Sequence, residues 1–136
     1  MTRTVIHYSD STAFGGTERA ILRLASATDR AQWHPVLFHQ SASSAALVDG
    51  ARTAGVDVEE VPAVRGKHDV ARFLALASAV RRWRAAVFHA HLHWPLAGKY
   101  GIGAATVARV PAIVATAQLH VELDHAGFVD LQHRLM

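Results

Sequence analysis

Gly15 and Gly16 stand between a short apolar run, Thr4–Tyr8, and the start of an amphipathic segment at Thr17. A strand, a glycine pair and a helix start together suit the holding of phosphate. Glycine lets backbone approach a ligand closely, and the first turn of a helix offers N–H groups without intrahelical partners. Gly15, Gly16 and Thr17 are therefore the candidate phosphate-binding residues. The pattern is not G-x-G-x-x-G, so it carries no dinucleotide fingerprint. A plain tight turn is the alternative. Glu18 falls in the first helical turn, where a carboxylate favours the helix dipole whether or not a ligand is present.

A second constellation is His89-x-His91-x-His93. On one continuous strand the three rings share a face, a spacing that raises the question of a metal. Pro95 ends the strand soon after, and no metal or other cofactor is expected. His89 is read as buried and His91 as reaching the cleft at the strand's end. Trp94 either lines a pocket or covers the following helix. Beyond a later apolar run lie Gln118 and His120, then Glu122, Asp124 and His125. Gln118 can hydrogen-bond a hydroxyl. No Ser/His/Asp arrangement and no G-x-S-x-G elbow stands out.

The positioning elements follow from hydrophobic periodicity. Short runs apolar on both faces predict strands at Thr4–Tyr8, Pro35–His39, Val56–Val61, Ala86–His91 and Ala112–Thr116. Helical patterns fall between them at Thr17–Ala27, Ser44–Ala54, Asp69–Arg84 and Leu96–Ala108. Ala20, Ile21, Leu24 and Ala25 share one face of the first helix. Val70, Phe73, Leu74, Ala77 and Val80 share one face of the third, with Asp69 as its N-cap. Gly55 and Pro111 mark helix-to-strand turns. Alternation of this kind predicts an α/β fold with a doubly wound, mostly parallel sheet flanked by helices. Ligands of such sheets bind beyond the carboxyl ends of the strands.

Composition narrows the class. The chain has 136 residues, enough for one domain, and 51% of them are hydrophobic, enough for a core. It has no cysteine, which excludes disulfides, thiol catalysis and thiolate-bound metals. The net charge of +3 suits an anionic ligand. No RNA-binding motif, zinc-finger spacing or basic tail points to nucleic acid. No signal-peptide run and no membrane span is evident, so a cytoplasmic setting is expected. Arg81, Arg82 and Arg84 around Trp83 read as a solvated helix end, or as contact with the inner face of a membrane. A fifth helix is expected to begin near Leu131, which suggests a fragment and leaves Phe128, Val129 and Leu131 without an expected cover.

Val5-Ile-His-Tyr-Ser9, Phe14-Gly-Gly-Thr-Glu18 and Leu22-Arg-Leu-Ala25 together resemble the start of family 4 glycosyltransferases, which have the GT-B fold. Ala54-Gly-Val-Asp-Val58 through Val61-Pro62, the Asp69–Arg84 helix, Val87-Phe-His-Ala-His91 and Val110-Pro-Ala-Ile-Val-Ala-Thr116 are similar to that family's later elements, in the same order. The resemblance implies that residues 1–136 form the Rossmann-like, acceptor-side N-terminal half of a GT-B fold. The donor-binding C-terminal domain, with its paired-glutamate E-x7-E motif, would be missing. It also implies transfer of a sugar from a nucleotide-sugar donor to a carbohydrate, lipid-linked or small-molecule acceptor, with retention, by an enzyme of which this half alone would be inactive. Gly15 and Gly16 would meet the donor diphosphate, with Thr17 beside them. His91, Trp94, Gln118 and His120 would contact sugar or acceptor. The family usually has histidine where Gln118 stands. No catalytic residue can be assigned. A non-catalytic nucleotide- or phosphate-binding module and an epimerase-like GT-B relative remain the alternatives.

Overall fold

A computed structural model describes residues 2–94 and 96–118 of the chain. His120, Glu122, Asp124, His125 and the expected fifth helix with Phe128, Val129 and Leu131 lie outside the described residues, as does Pro95. Nine elements alternate: β1 (Arg3–Tyr8), α1 (Gly16–Ala27), β2 (Trp33–His39), α2 (Ala45–Thr53), β3 (Asp57–Glu60), α3 (Val70–Arg82), β4 (Val87–Leu92), α4 (Lys99–Val107) and β5 (Ala112–Ala117). The strands form one parallel sheet in the order β3-β2-β1-β4-β5. This is the doubly wound, Rossmann-like arrangement that the periodicity predicts. The strand order reverses between β1 and β4, and crevices for ligands open at such a switch point.

The two faces of the sheet are built differently. On one, Ile6, Tyr8, Phe38, Phe88 and Ala90 pack against Leu76 and Val80 of α3 and Ala104 and Ala105 of α4. Gly101 is required there, because a Cβ at that position would collide with the Tyr8 ring. On the other, Ile21 and Ala25 of α1 and Leu47 and Ala51 of α2 cover Leu37 and Val56. Each fully buried large apolar side chain contributes about 1.5–3 kcal/mol. The two small helix-covered layers thereby fix the strand ends that carry the loops.

Two local details depart from expectation. The fourth helix starts at Lys99 rather than Leu96, because Gly98 takes a left-handed φ of +74°, a conformation outside the right-handed helix. Its N–H donates to Asp10 Oδ2 at 2.9 Å, tying the β4–α4 turn to the loop after β1. Asp69 occupies the N-cap of α3, but its carboxylate does not cap that helix. It accepts instead from the Arg65 N–H at 3.2 Å and sits 3.5 Å from Arg72.

Candidate functional site

The loop after β1 is internally tied. Ser9 Oγ accepts from the Ser11 N–H and Ser11 Oγ from the Ala13 N–H, both at 3.3 Å. Gly15 is the N-cap of α1. Its N–H donates to Glu18 Oε2 at 2.8 Å, so the buried Glu18 carboxylate serves the loop. Glu18 Oε1 has no partner among the described residues. The N–H groups of Gly16 and Thr17, at the first positions of α1, lack intrahelical acceptors by the geometry of any helix start.

Two pockets meet at this helix start. One, of about 360 Å³, is bounded by Ser11, Gly15, Gly16, Thr17, Glu18, His93 and Gln118, among others. The other, of about 770 Å³, is bounded by Gly16, Arg19, Arg23, His89, His91 and Gln118, among others. Gly16 and Gln118 line both. The structure thus brings together Gly15, Gly16, Thr17, His91 and Gln118 from the predicted set. Trp94 is 58% exposed and lines neither pocket. Arg19 and Arg23 both face the larger pocket, and no carboxylate among the described residues lines it. The Arg19 guanidinium lies over the Phe14 ring at 5.7 Å.

Beneath the larger pocket the histidines are rearranged relative to expectation. His93 lies beyond the end of β4, 3.4 Å from Asp10, so the three rings do not form one row. His7 of β1 takes its place. The parallel register pairs His7 with His89, and His91 follows on the same face of β4. His7 Nδ1 and His91 Nε2 are 3.0 Å apart, and the His89 and His91 rings stack with centroids 4.0 Å apart. His89 Nε2 meets Thr116 Oγ1 at 2.7 Å. The burial order is the reverse of the sequence reading. His91 is 1% exposed, because α1 lies across this part of the face, whereas His89 is only half-buried. Burial lowers all three pKa values: His7 to about 4, His91 to about 3, and His89 below its ordinary value. Mutual repulsion with neighbouring rings adds to the lowering at His7 and His91.

The basic helix end is engaged in the fold. The Trp83 indole N–H donates to Glu59, whose carboxylate also accepts from Arg82 at 2.7 Å. Trp83 is partly buried against the α3–α4 core and stacks with His34 at 6.0 Å.

Sequence reasoning missed four contributors. His7 is 84 positions from His91, and only the β1–β4 register, which sequence does not give, joins them. Asp10 carried no pattern of its own. Arg19 and Arg23 did carry one: an i, i+4 pair directly after a glycine turn places two cations on one helix face.

No family model and no curated relative matches the chain. Among solved structures, it is similar to a glycosyltransferase from Rickettsia africae ESF-5, with a TM-score of 0.69 and 13% sequence identity over 92% of this chain and 32% of that one. The chain thus spans about a third of that protein. At such identity the likeness concerns the fold: a five-stranded parallel sheet flanked by four helices, shared with a glycosyltransferase.

Proposed function

We propose that this chain is the acceptor-side domain of a retaining GT-B glycosyltransferase of the family 4 kind, which uses a nucleotide-sugar donor. The observation that carries the reading is that the fold does not need its glycine pair. Neither Gly15 nor Gly16 has a positive φ. A Cβ at Gly16 would meet nothing within 4 Å, and one at Gly15 only the Glu18 carboxylate at 3.7 Å. A tight turn does not call for glycine here. Close approach of a ligand to the N–H groups does.

The donor diphosphate would lie against the amides of Gly16 and Thr17, since the Gly15 amide is committed to Glu18. Fixed N–H dipoles stabilise the charge that grows on a leaving diphosphate without reorganising. In front-face transfer the bond from the anomeric carbon to phosphate oxygen breaks. The acceptor oxygen bonds from the same side, and its proton passes to the departing phosphate. His91 and Gln118 line the pocket on the sugar side, and Arg19 and Arg23 add positive potential. Further cationic groups would come from a second domain, and the acceptor, whether carbohydrate, lipid-linked or small, would enter from this half.

The test is backbone amide NMR of the chain titrated with uridine, guanosine, adenosine and thymidine diphosphates. At least one should shift the Gly16 and Thr17 amides in a saturable way, with inorganic pyrophosphate competing. If every diphosphate leaves those two amides unmoved, the reading fails. Turnover of the matching nucleotide sugar by the longer protein, with the anomeric configuration kept, separates a transferase from a binding module. Interconversion of the free nucleotide sugar without acceptor identifies an epimerase.

A further inference from the structure

We infer that His7, His89 and His91 form a binding site for a divalent transition-metal cation of the zinc class, clipping β1 to β4 and leaving one coordination position toward the larger pocket. One ring nitrogen from each histidine lies within 4.8 Å of one from each of the others. The inference is independent of the glycosyltransferase reading. It departs from the expectation of no metal at His89, His91 and His93, because His7 of β1 rather than His93 completes the cluster.

Hydrogen-bond accounting marks the cluster as incomplete. His7 and His91 are 2% and 1% exposed, and a single proton can lie between His7 Nδ1 and His91 Nε2. Whichever ring donates it, the other nitrogens, His7 Nε2 and His91 Nδ1, have no partner among the described residues. Each tautomer therefore leaves one N–H and one lone pair buried and unsatisfied. Folded proteins leave few such groups, and those that persist signal a ligand, a water or a functional role. A cation between the facing nitrogens would replace their shared proton and use both lone pairs, leaving each ring's proton on His7 Nε2 and His91 Nδ1, so the facing nitrogens and not the two unpartnered ones are the ligands.

The donor set selects the metal. Three imidazoles without thiolate or carboxylate suit zinc, cobalt, nickel or copper and not magnesium or calcium. Burial keeps the rings neutral near pH 7, as ligation requires. Metal–nitrogen bonds of about 2.0–2.1 Å set the nitrogens roughly 3.4 Å apart, so the His7–His91 pair at 3.0 Å would open slightly while separations of up to 4.8 Å would close by ring rotation. With His89 ligating through Nδ1, Thr116 Oγ1, 2.7 Å from His89 Nε2, would hold the third ring as outer partners of metal-bound histidines do. His89 and His91 both border the pocket, which places the fourth position there.

The experiment is titration of the chelator-stripped chain with Co²⁺, followed by visible absorption, then displacement with Zn²⁺. A saturable one-to-one spectrum of the intense tetrahedral or five-coordinate type is expected. H89Q, at a half-buried position, should weaken Co²⁺ at least 100-fold with the fold unchanged by circular dichroism. H7Q should do the same wherever it folds, T116V should weaken it about 10-fold, and H93Q should leave it unaltered. Absence of that spectrum in the unmodified chain, or an unchanged affinity in H89Q, overturns the site.

Discussion

The two faces of β1 and β4 put alternating positions of the same two strands to opposite uses. Toward α3 and α4 the inward residues are Ile6, Tyr8, Phe88 and Ala90, an apolar layer with none above 2% exposure. Toward α1 they include His7, His89 and His91, polar rings of which His7 and His91 each keep an unpartnered nitrogen among the described residues. Strand alternation alone separates the two sets. An apolar layer is cheap to bury and specifies the fold. A layer of histidines is costly to bury and stabilises little by itself, so its residue types answer to something other than packing. The switch point between β1 and β4 lies on the same strands, which places the costly layer where a ligand crevice forms.

The largest effect should come from the apolar face. Phe88 is wholly buried among Ile6, Tyr8, Leu76 and Val80. Phe88→Ala should lower unfolding free energy by about 3–5 kcal/mol, from lost burial plus the cavity left behind. Urea denaturation followed by far-ultraviolet circular dichroism measures this. A loss below about 1 kcal/mol would mean that the α3–α4 layer is not what holds β4.

The face difference bears on what could be read in advance. Strand and helix positions were legible because Val36, Leu37 and Phe38, or Leu76 and Val80, are apolar at a regular period, and period alone decides them. The Gly15–Thr17 turn was legible because a glycine pair between an apolar run and a helical pattern marks a turn. Pairings between distant segments were not. His7 reads as one polar residue in an apolar strand until β1 lies beside β4, and Asp10 is an ordinary loop acid until its carboxylate meets Gly98. Arg81, Arg82 and Arg84 are exposed, as a solvated helix end requires, but no local signature marks the long-range pairing in which Glu59 from β3 accepts from both Arg82 and Trp83.

The histidine face should show itself through pH. Its folded-state pKa values, about 4 for His7 and about 3 for His91, lie below the ordinary 6.5. The unfolded chain therefore takes up protons first as acid is added. The stability these groups permit is complete above pH 6.5 and declines as pH falls from there toward 4, by at most about 1.4 kcal/mol per unit for each ring. Replacing both by leucine removes the facing pair together and should cost under about 1 kcal/mol at pH 7, whereas His91→Leu alone strands His7 and should cost about 1–3 kcal/mol. Denaturation curves of the metal-free proteins at pH 7, 6, 5 and 4 compare them. A double variant that loses as much stability between pH 6.5 and 4 as the parent would place the acid sensitivity elsewhere and remove the contrast between the faces.

The smallest change in stability, and the one that separates fold from function most cleanly, belongs to Gly16→Ala. The added methyl meets nothing within 4 Å, and Gly16 has a negative φ at the first position of α1. Alanine also limits the unfolded chain and favours helix, so unfolding free energy should stay level or rise by about 0.4–1 kcal/mol. The methyl nevertheless stands at the edge of both pockets, where a diphosphate oxygen would approach the Gly16 and Thr17 amides. Diphosphate affinity in the NMR titration should therefore fall at least 10-fold while stability does not. A loss of stability instead would show that the turn needs its glycine after all. Unchanged stability with unchanged affinity would remove the glycine pair from the ligand site and leave the histidine face as the remaining reason for this end of the sheet.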